Sequence, residues 1–295
     1  MSLALALNTA LTGINVNQQA LAVLSQNIAN ANTPGYSRKI LQQGAEYLNG
    51  NGAGVRIQDI TRRVDDYLIR SMRLQGSVAG RTSVTNTYAS RTQLLLGNPG
   101  ANNSLNAYTT NFFNSWLSLS QTPEDGTLKT LSVNSGVSLA RQVSQLSQRL
   151  QDLRFEADQD ISNAVAVINN DLKQVFALNE TIAQNLSLGK PVTELQDSRD
   201  NFLGDIAQYM DIQTFRRDNG SVNVSINGVA LLDDSIYQLS YTPVPSSTSL
   251  ANDSDLSPLL VYRTDTSGNL TGQPIQLASG GASAAAPTAR STTST

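Results

Sequence analysis

The chain has 295 residues, 20 Lys plus Arg against 23 Asp plus Glu, a net charge of −3 and only 15% charged residues. It holds 0 Cys and 0 His, which excludes disulfides, thiol nucleophiles, histidine zinc sites and a Ser-His-Asp triad. The slightly acidic balance lacks the basic footprint of a nucleic-acid binder, and Asn, Gln, Ser and Thr supply the polarity instead.

Met1 to Ser37 carries no charged residue. A secretory leader needs a basic start and an apolar core of ~7–15 residues, but the run Leu3 to Leu7 ends at Asn8. A spanning helix needs ~20 mostly apolar residues, and Asn15, Asn17, Gln18, Gln19, Gln26 and Asn27 interrupt any such run. The expectation is no membrane insertion, and no Sec-type leader if the chain is exported. Leu3, Leu7, Ala10, Ile14, Asn17, Leu21, Leu24, Ile28 and Ala31 alternate in steps of four and three. That mean of about 3.5 residues is a coiled-coil seam with one polar entry, Asn17. Leu3, Leu7, Ile14, Leu21, Leu24 and Ile28 are candidate inter-subunit packing residues; an ordinary bundle helix is the plainer reading. Pro34 and Gly35 then impose a stop and a sharp turn.

After a mixed stretch, Val55-Arg56-Ile57 reads as a short strand set up by Gly50, Gly52 and Gly54. A second helix is expected from about Val64 to Leu96, ended by Gly97-Asn98-Pro99-Gly100. Leu105, Tyr108, Phe112, Trp116 and Leu119 follow helical spacing, and Trp116 is expected in a core. The strongest signal lies between Gly136 and Gly189, 52 residues without Gly or Pro. An apolar stripe there runs from Leu139 to Leu186 at a mean of about 3.6 residues. One continuous helix of that length would be ~78 Å long. A compact globule of this chain length is only ~50 Å across. The molecule is therefore expected to be elongated. A shorter helix follows from about Glu194 to Tyr209.

β-type runs then begin: Ile212 to Phe215, Val222 to Ile226, Val229 to Leu232, Ile236 to Tyr241 and Leu259 to Arg263. Asp218-Asn219-Gly220 and Asn227-Gly228 read as hairpin turns. Residues 242–258 form a Pro/Ser-rich loop, and Ser279 to Thr295 reads as disordered. The fold class is mainly α with a C-terminal β domain: an elongated, rod-like helical bundle with one very long helix and a small antiparallel β domain. The expected division is 1–37 (assembly helix and turn), 38–210 (helical rod), 211–278 (partial β domain) and 279–295 (tail).

No constellation carries catalysis. Asp65-Asp66, Glu124-Asp125 and Asp233-Asp234 are adjacent carboxylates, whereas functional pairs need facing geometry and a tuned pKa, and Glu124 and Asp125 suit a helix N-terminus better. Asp265 to Asn269 lacks the acidic spacing and terminal Glu of a calcium loop, and reads as a turn. The Gly50/Gly52/Gly54 run lacks the Lys-Ser/Thr of a phosphate cradle. No metal and no cofactor is expected.

The segment Ser25-Gln26-Asn27-Ile28-Ala29-Asn30-Ala31-Asn32-Thr33-Pro34-Gly35-Tyr36-Ser37 resembles the N-terminal signature of bacterial flagellar rod, hook and hook-associated proteins. Asn27, Ala29, Asn30, Thr33, Gly35 and Tyr36 carry that motif. Gly54-Val55-Arg56-Ile57, Arg62-Arg63-Val64-Asp65, Phe112-Phe113, Pro123-Glu124-Asp125 and Leu195-Gln196-Asp197-Ser198-Arg199-Asp200 are similar to the hook-associated proteins of the hook–filament junction. The resemblance covers roughly residues 1–240. It implies a non-enzymatic structural subunit of the flagellum, exported through the flagellar type III apparatus and assembling with itself as a ring on the hook tip. Hook protein, a neighbouring hook-associated protein and the export apparatus are the implied partners. The same family continues into a further body and ends in a second amphipathic helix that pairs with the N-terminal one, so the sequence reads as an N-terminal part, truncated or frame-shifted. A rod or hook protein shares the signature, and a secreted coiled-coil effector or adhesin is the alternative from another class.

Overall fold

The computed structural model describes residues 3–48, 51–98, 100–246, 256–264 and 269–277. The tail from 279, most of the 265–269 turn and residues 247–255 of the Pro/Ser-rich loop lie outside the described residues.

Among the described residues five helices and eight strands follow one another: α1 (Leu3–Ala29), β1 (Lys39–Leu48), β2 (Asn51–Arg62), α2 (Asp66–Leu96), α3 (Leu105–Gln121), α4 (Gly126–Ser187), α5 (Thr193–Tyr209), β3 (Gln213–Arg216), β4 (Val222–Ile226), β5 (Val229–Leu232), β6 (Tyr237–Ser240), β7 (Leu260–Thr264) and β8 (Leu270–Gln276). Side-chain acceptors start three helices. Asp65 Oδ1 accepts from the amides of Tyr67 and Leu68, Ser104 Oγ from Ala107, and Asp125 Oδ1 from Thr127 and Leu128. Those donors have no partner inside the helix, so each cap satisfies groups that would otherwise be left open. They also hold the Asp125 carboxyl below its ordinary pKa.

Capping at Asp125 lets α4 begin eleven residues before the Gly/Pro-free stretch, for a total of 62 residues. That is about 93 Å of helix, enough to make the molecule a rod. Gly136 sits inside α4 because the Phe112 ring of α3 lies 3.3 Å from where a Cβ would stand. The α3–α4 contact is lined by small polar residues. Ser132 Oγ donates to Ser115 O at 3.0 Å, and the Ser115 and Ser135 hydroxyls are 2.6 Å apart. This close contact turns Trp116 outward, 52% exposed, with Phe113 and Leu117 beside it. The expectation that Trp116 is core is thereby corrected.

The second correction is the stretch after Ser37. It is a long antiparallel ribbon, with β1 paired to β2 from Lys39↔Arg62 to Leu48↔Asn51 and register shifts at Gln42/Gln43 and Glu46/Tyr47. Gln-rich β1 has no clean apolar alternation, which hid it. Strand β8 also had no counterpart in the sequence reading; it is exposed along its length, so it carries little burial pattern.

Strands β3-β4-β5 and β6-β7-β8 form two antiparallel meanders. Asn227 and Gly228 have φ of 48° and 80°, the two positive values that a tight two-residue hairpin needs. Both sheets contribute to one core with the second half of α4 and with α5. Ile168, Leu172 and Val175 of α4, Leu203 and Ile206 of α5, and Ile226 and Leu231 of the first sheet are central to it. Two α4 asparagines pin the sheets. Asn169 exchanges two hydrogen bonds with the backbone of Leu239 (2.8 and 2.9 Å), and Asn179 does the same with Val222 (2.9 and 3.0 Å). Each side-chain amide acts as one more strand residue.

Asp171 of α4 is buried, and burial, reinforced by the Asp205 charge, raises its pKa. A raised acid favours its protonated form in the fold. Its stabilising contribution is present below the unfolded pKa of about 3.9 and is lost as pH rises through the folded value. Asp171→Asn is therefore expected to raise the urea midpoint at pH 7 and to change it little at pH 3.5. Equal shifts at both pH values would contradict this assignment.

Candidate functional site: the N-terminal helix and its elbow

Helix α1 docks on the ribbon through one narrow face. Thr9 Oγ1 donates to Ala53 O at 3.2 Å, and Thr12 Oγ1 accepts from the Val55 amide at 3.3 Å. Gly54, at φ 135°, permits that approach, since a Cβ there would stand 2.2 Å from Thr12 Oγ1. Val16 and Val23 complete the buried face against the ribbon, and Ala53 is buried with them. These helix residues and the heptad seam point roughly 150° apart around the axis, at about 100° per residue. The seam consequently stays open. Leu3, Leu7, Ile14, Leu21, Leu24 and Ile28 are between 52% and 88% exposed.

Five of the six motif residues make the elbow that follows α1. Asn27 Nδ2 donates to Lys39 O and its Oδ1 accepts from the Lys39 amide, both at 2.9 Å, so α1 is tied to the first residue of β1. The Tyr36 hydroxyl donates to the same Asn27 oxygen at 3.0 Å. Asn30 Nδ2 donates back to Gln26 O, and Thr33 Oγ1 donates to Asn30 Oδ1. Gly35 has φ 76°, and a Cβ there would fall 1.9 Å from the Asn201 side chain of α5. Ala29 closes α1 and is exposed.

The elbow and ribbon meet α5 through charge. Ser37 donates its hydroxyl (2.5 Å) and amide (3.3 Å) to Asp197. Arg62 bridges Asp197 (2.7 Å) and Asp200 (2.8 Å), and Asp200 also takes Arg73 of α2 at 3.1 Å. Lys39 pairs with Glu194 and lies 4.5 Å from the centre of the Tyr36 ring. Burial pulls the Lys39 pKa down, partly countered by Asp197. Burial and then the Asp197 charge push the Tyr36 phenol up. Arg62, Asp197 and Asp200 stood in the sequence only as parts of a family pattern, and Lys39 and Glu194 were not singled out. A usable signal existed: charges are scarce in this chain, yet they cluster at Arg62-Arg63 and again from Glu194 to Asp200.

The adjacent carboxylates are spread over other tasks. Asp65 and Asp125 cap helices, Asp66 pairs with Arg216 at 3.4 Å, Asp233 accepts from the Ser235 amide and the Tyr237 hydroxyl, and Asp234 pairs with Arg217. Among the described residues no group of three or more His, Cys, Asp or Glu is placed to hold a metal ion, and no helix is long and apolar enough to cross a membrane.

A long helical rod with a charge-free N-terminal helix folded back on a β ribbon defines an extended structural subunit. The family model for flagella basal body rod proteins matches residues 7–36, the helix and elbow. The model for the helical domain of flagellar hook-associated protein FlgK matches residues 89–292, and the chain belongs to that family of flagellar structural proteins. It is 28% identical over 251 residues to flagellar hook-associated protein 1 of Salmonella typhimurium, covering 82% of this chain and 44% of that protein. Identity to the Escherichia coli protein of the same name is 26% over 257 residues, 83% of this chain and 47% of that one. The Bacillus subtilis protein gives 26% over 240 residues, with 77% and 47% covered. The chain thus spans less than half the length of these relatives. The solved structure of the flagellar hook junction protein FlgK from Burkholderia pseudomallei shares the fold, with a TM-score of 0.60 at 20% identity over 74% of this chain and 37% of that one.

Proposed function

We propose that this chain is a non-enzymatic subunit of the hook–filament junction that assembles with copies of itself on the hook tip. The observation that carries the reading is the open seam of α1. Among the described residues another face of α1 takes the docking, and Leu7, Ile14, Leu21 and Leu24 face out, where a further helix or another copy can pack on them. The absence of charge on this helix removes like-charge repulsion when identical copies pack side by side. Leu3, Leu7, Ile14, Leu21, Leu24 and Ile28 are the packing surface in this reading. Hook protein and a neighbouring hook-associated protein are the partners beside self-contact. Export runs through the flagellar type III apparatus, and the chain acts outside the cell as part of the flagellum. The proposed division is 1–37 (assembly helix and turn), 38–210 (helical rod) and 211–278 (partial β domain), with the β1–β2 ribbon packed on α1 and the later strands sharing one core with α4 and α5.

The joint variant Ile14→Asp/Leu21→Asp tests it. Both side chains are exposed, so the effect on stability is expected to stay within about 1 kcal/mol. Docking onto isolated hooks, followed by electron microscopy with labelled protein, is expected to be abolished. Undiminished docking by this variant would overturn the assignment of the seam.

A further inference from the structure

We propose that Arg62 and the α5 carboxylates form a releasable polar latch, and that α1, the elbow and the ribbon swing as one rigid arm when it opens. Three observations lead there. First, the arm has its own small core, Val16 and Val23 with Ala53, while the main buried cluster runs from Ile161 to Leu277 and includes no residue of α1, β1 or β2. Second, among the described residues the hydrogen bonds and ion pairs that join arm to body converge on about two turns of α5: Ser37 and Arg62 on Asp197, Arg62 on Asp200, Lys39 on Glu194. Third, the arm leads into the body through a single covalent joint, the short connection from Arg62 to the start of α2 at Asp66.

The chemistry of that contact favours opening as a unit. Apolar surface that separates loses its partners outright, whereas ion pairs and hydrogen bonds exchange for water. When closed, Lys39, Arg62 and Arg73 face Glu194, Asp197 and Asp200, and the buried Arg199 charge also acts on Asp200. Asp197 is the keystone because it accepts from both the elbow and the ribbon, through Ser37 and Arg62. Neutralising it takes one of the two carboxylate partners from the nearly buried Arg62, a loss that water relieves once the arm lifts away. Inside the arm the Asn27–Lys39 and Thr12–Val55 contacts use none of these charges and persist. The latch therefore sets the direction in which the seam of α1 points, independently of what the seam binds.

The absence of native Cys permits clean double labelling. Spin labels at Gln18→Cys on α1 and Gln174→Cys on α4, both exposed positions, report the arm-to-body distance. A second pair, Gln18→Cys with Gln43→Cys on β1, reports the integrity of the arm. With Asp197 intact the first pair should give one narrow distance. Asp197→Asn is expected to raise a second, broader population about tenfold, and Arg62→Gln to do the same, while the second pair stays narrow. An unchanged first pair in both variants would overturn the latch. So would broadening of both pairs together, because the cluster would then be holding the fold rather than an orientation.

Discussion

Asn179→Ala is expected to destabilise the protein by about 4 kcal/mol and to lower Tm by roughly 10 °C, a larger effect than its size implies. The side chain holds three groups at once. Its Nδ2 donates to Val222 O, and its Oδ1 accepts from the Val222 amide and from Arg199 Nη1, each at 2.9–3.0 Å. Arg199 is fully buried, and Asn179 and Val222 are nearly so, so truncation leaves three polar groups without water to turn to. Arg199 is already under-satisfied: Nη1 also donates to Gly220 O at 2.7 Å, but Nε and Nη2 have no partner among the described residues. Burial pulls its pKa down to about 10, against the pull of Asp200. A buried charge in that state is replaced by an apolar side chain at small penalty. Arg199→Met should thus cost only ~1–2 kcal/mol, and the double variant Asn179→Ala/Arg199→Met should fall short of the sum by ~1–2 kcal/mol. Urea melts of the four proteins measure this, and strict additivity would show that the Asn179–Arg199 bond carries no energy.

Asn179 also marks what a sequence withholds. Its position in the stretch from Gly136 to Gly189 reads as polar filler between apolar stripe positions. Nothing local says that it continues a strand pairing some forty residues downstream. The same holds for Asn169 with Leu239 and for Asn27 with Lys39. Elements whose identity rests on local periodicity and punctuation were legible: α1, α2, α3, α5, and the strands around Asn227-Gly228. Strand β1 was not, because its partner β2 and its cover, α1, are supplied by tertiary structure rather than by alternation along its own ten residues. Trp116 was misread because aromatics at helical spacing imply a buried face only when that face has a partner. Here the Ser115, Ser132, Ser135 and Gly136 contact took the interface instead.

The candidate site divides in the same way. The seam of α1 and the stop at Pro34-Gly35 are properties of consecutive residues, so both could be named from the sequence. The reason for Gly35 could not, since it depends on Asn201 of a helix more than a hundred and fifty residues away. Arg62, Asp197 and Asp200 are brought together by the antiparallel return of the chain. Their charge could be seen in the sequence, but not their geometry.

Leu172→Ala is expected to cost about 3–4 kcal/mol, while Val143→Ala in the same helix and the same stripe should cost under about 1 kcal/mol. The periodicity that defines the stripe does not distinguish the two, because both positions obey it. What distinguishes them is the cover. Around Leu172 the helix is closed in by α5 and the two sheets, and the side chain is fully buried. Val143 lies nearer the start of α4 and is 49% exposed. Removing buried methyl groups forfeits both transfer energy and packing, whereas removing exposed ones forfeits little of either. Chemical denaturation of the two variants at low and high protein concentration makes the comparison. Concentration-independent losses of the expected sizes place the stability of the isolated chain in the second half of α4. A Val143 loss that rises toward the Leu172 value with concentration would instead show that another copy of the chain covers the first half of the helix in solution.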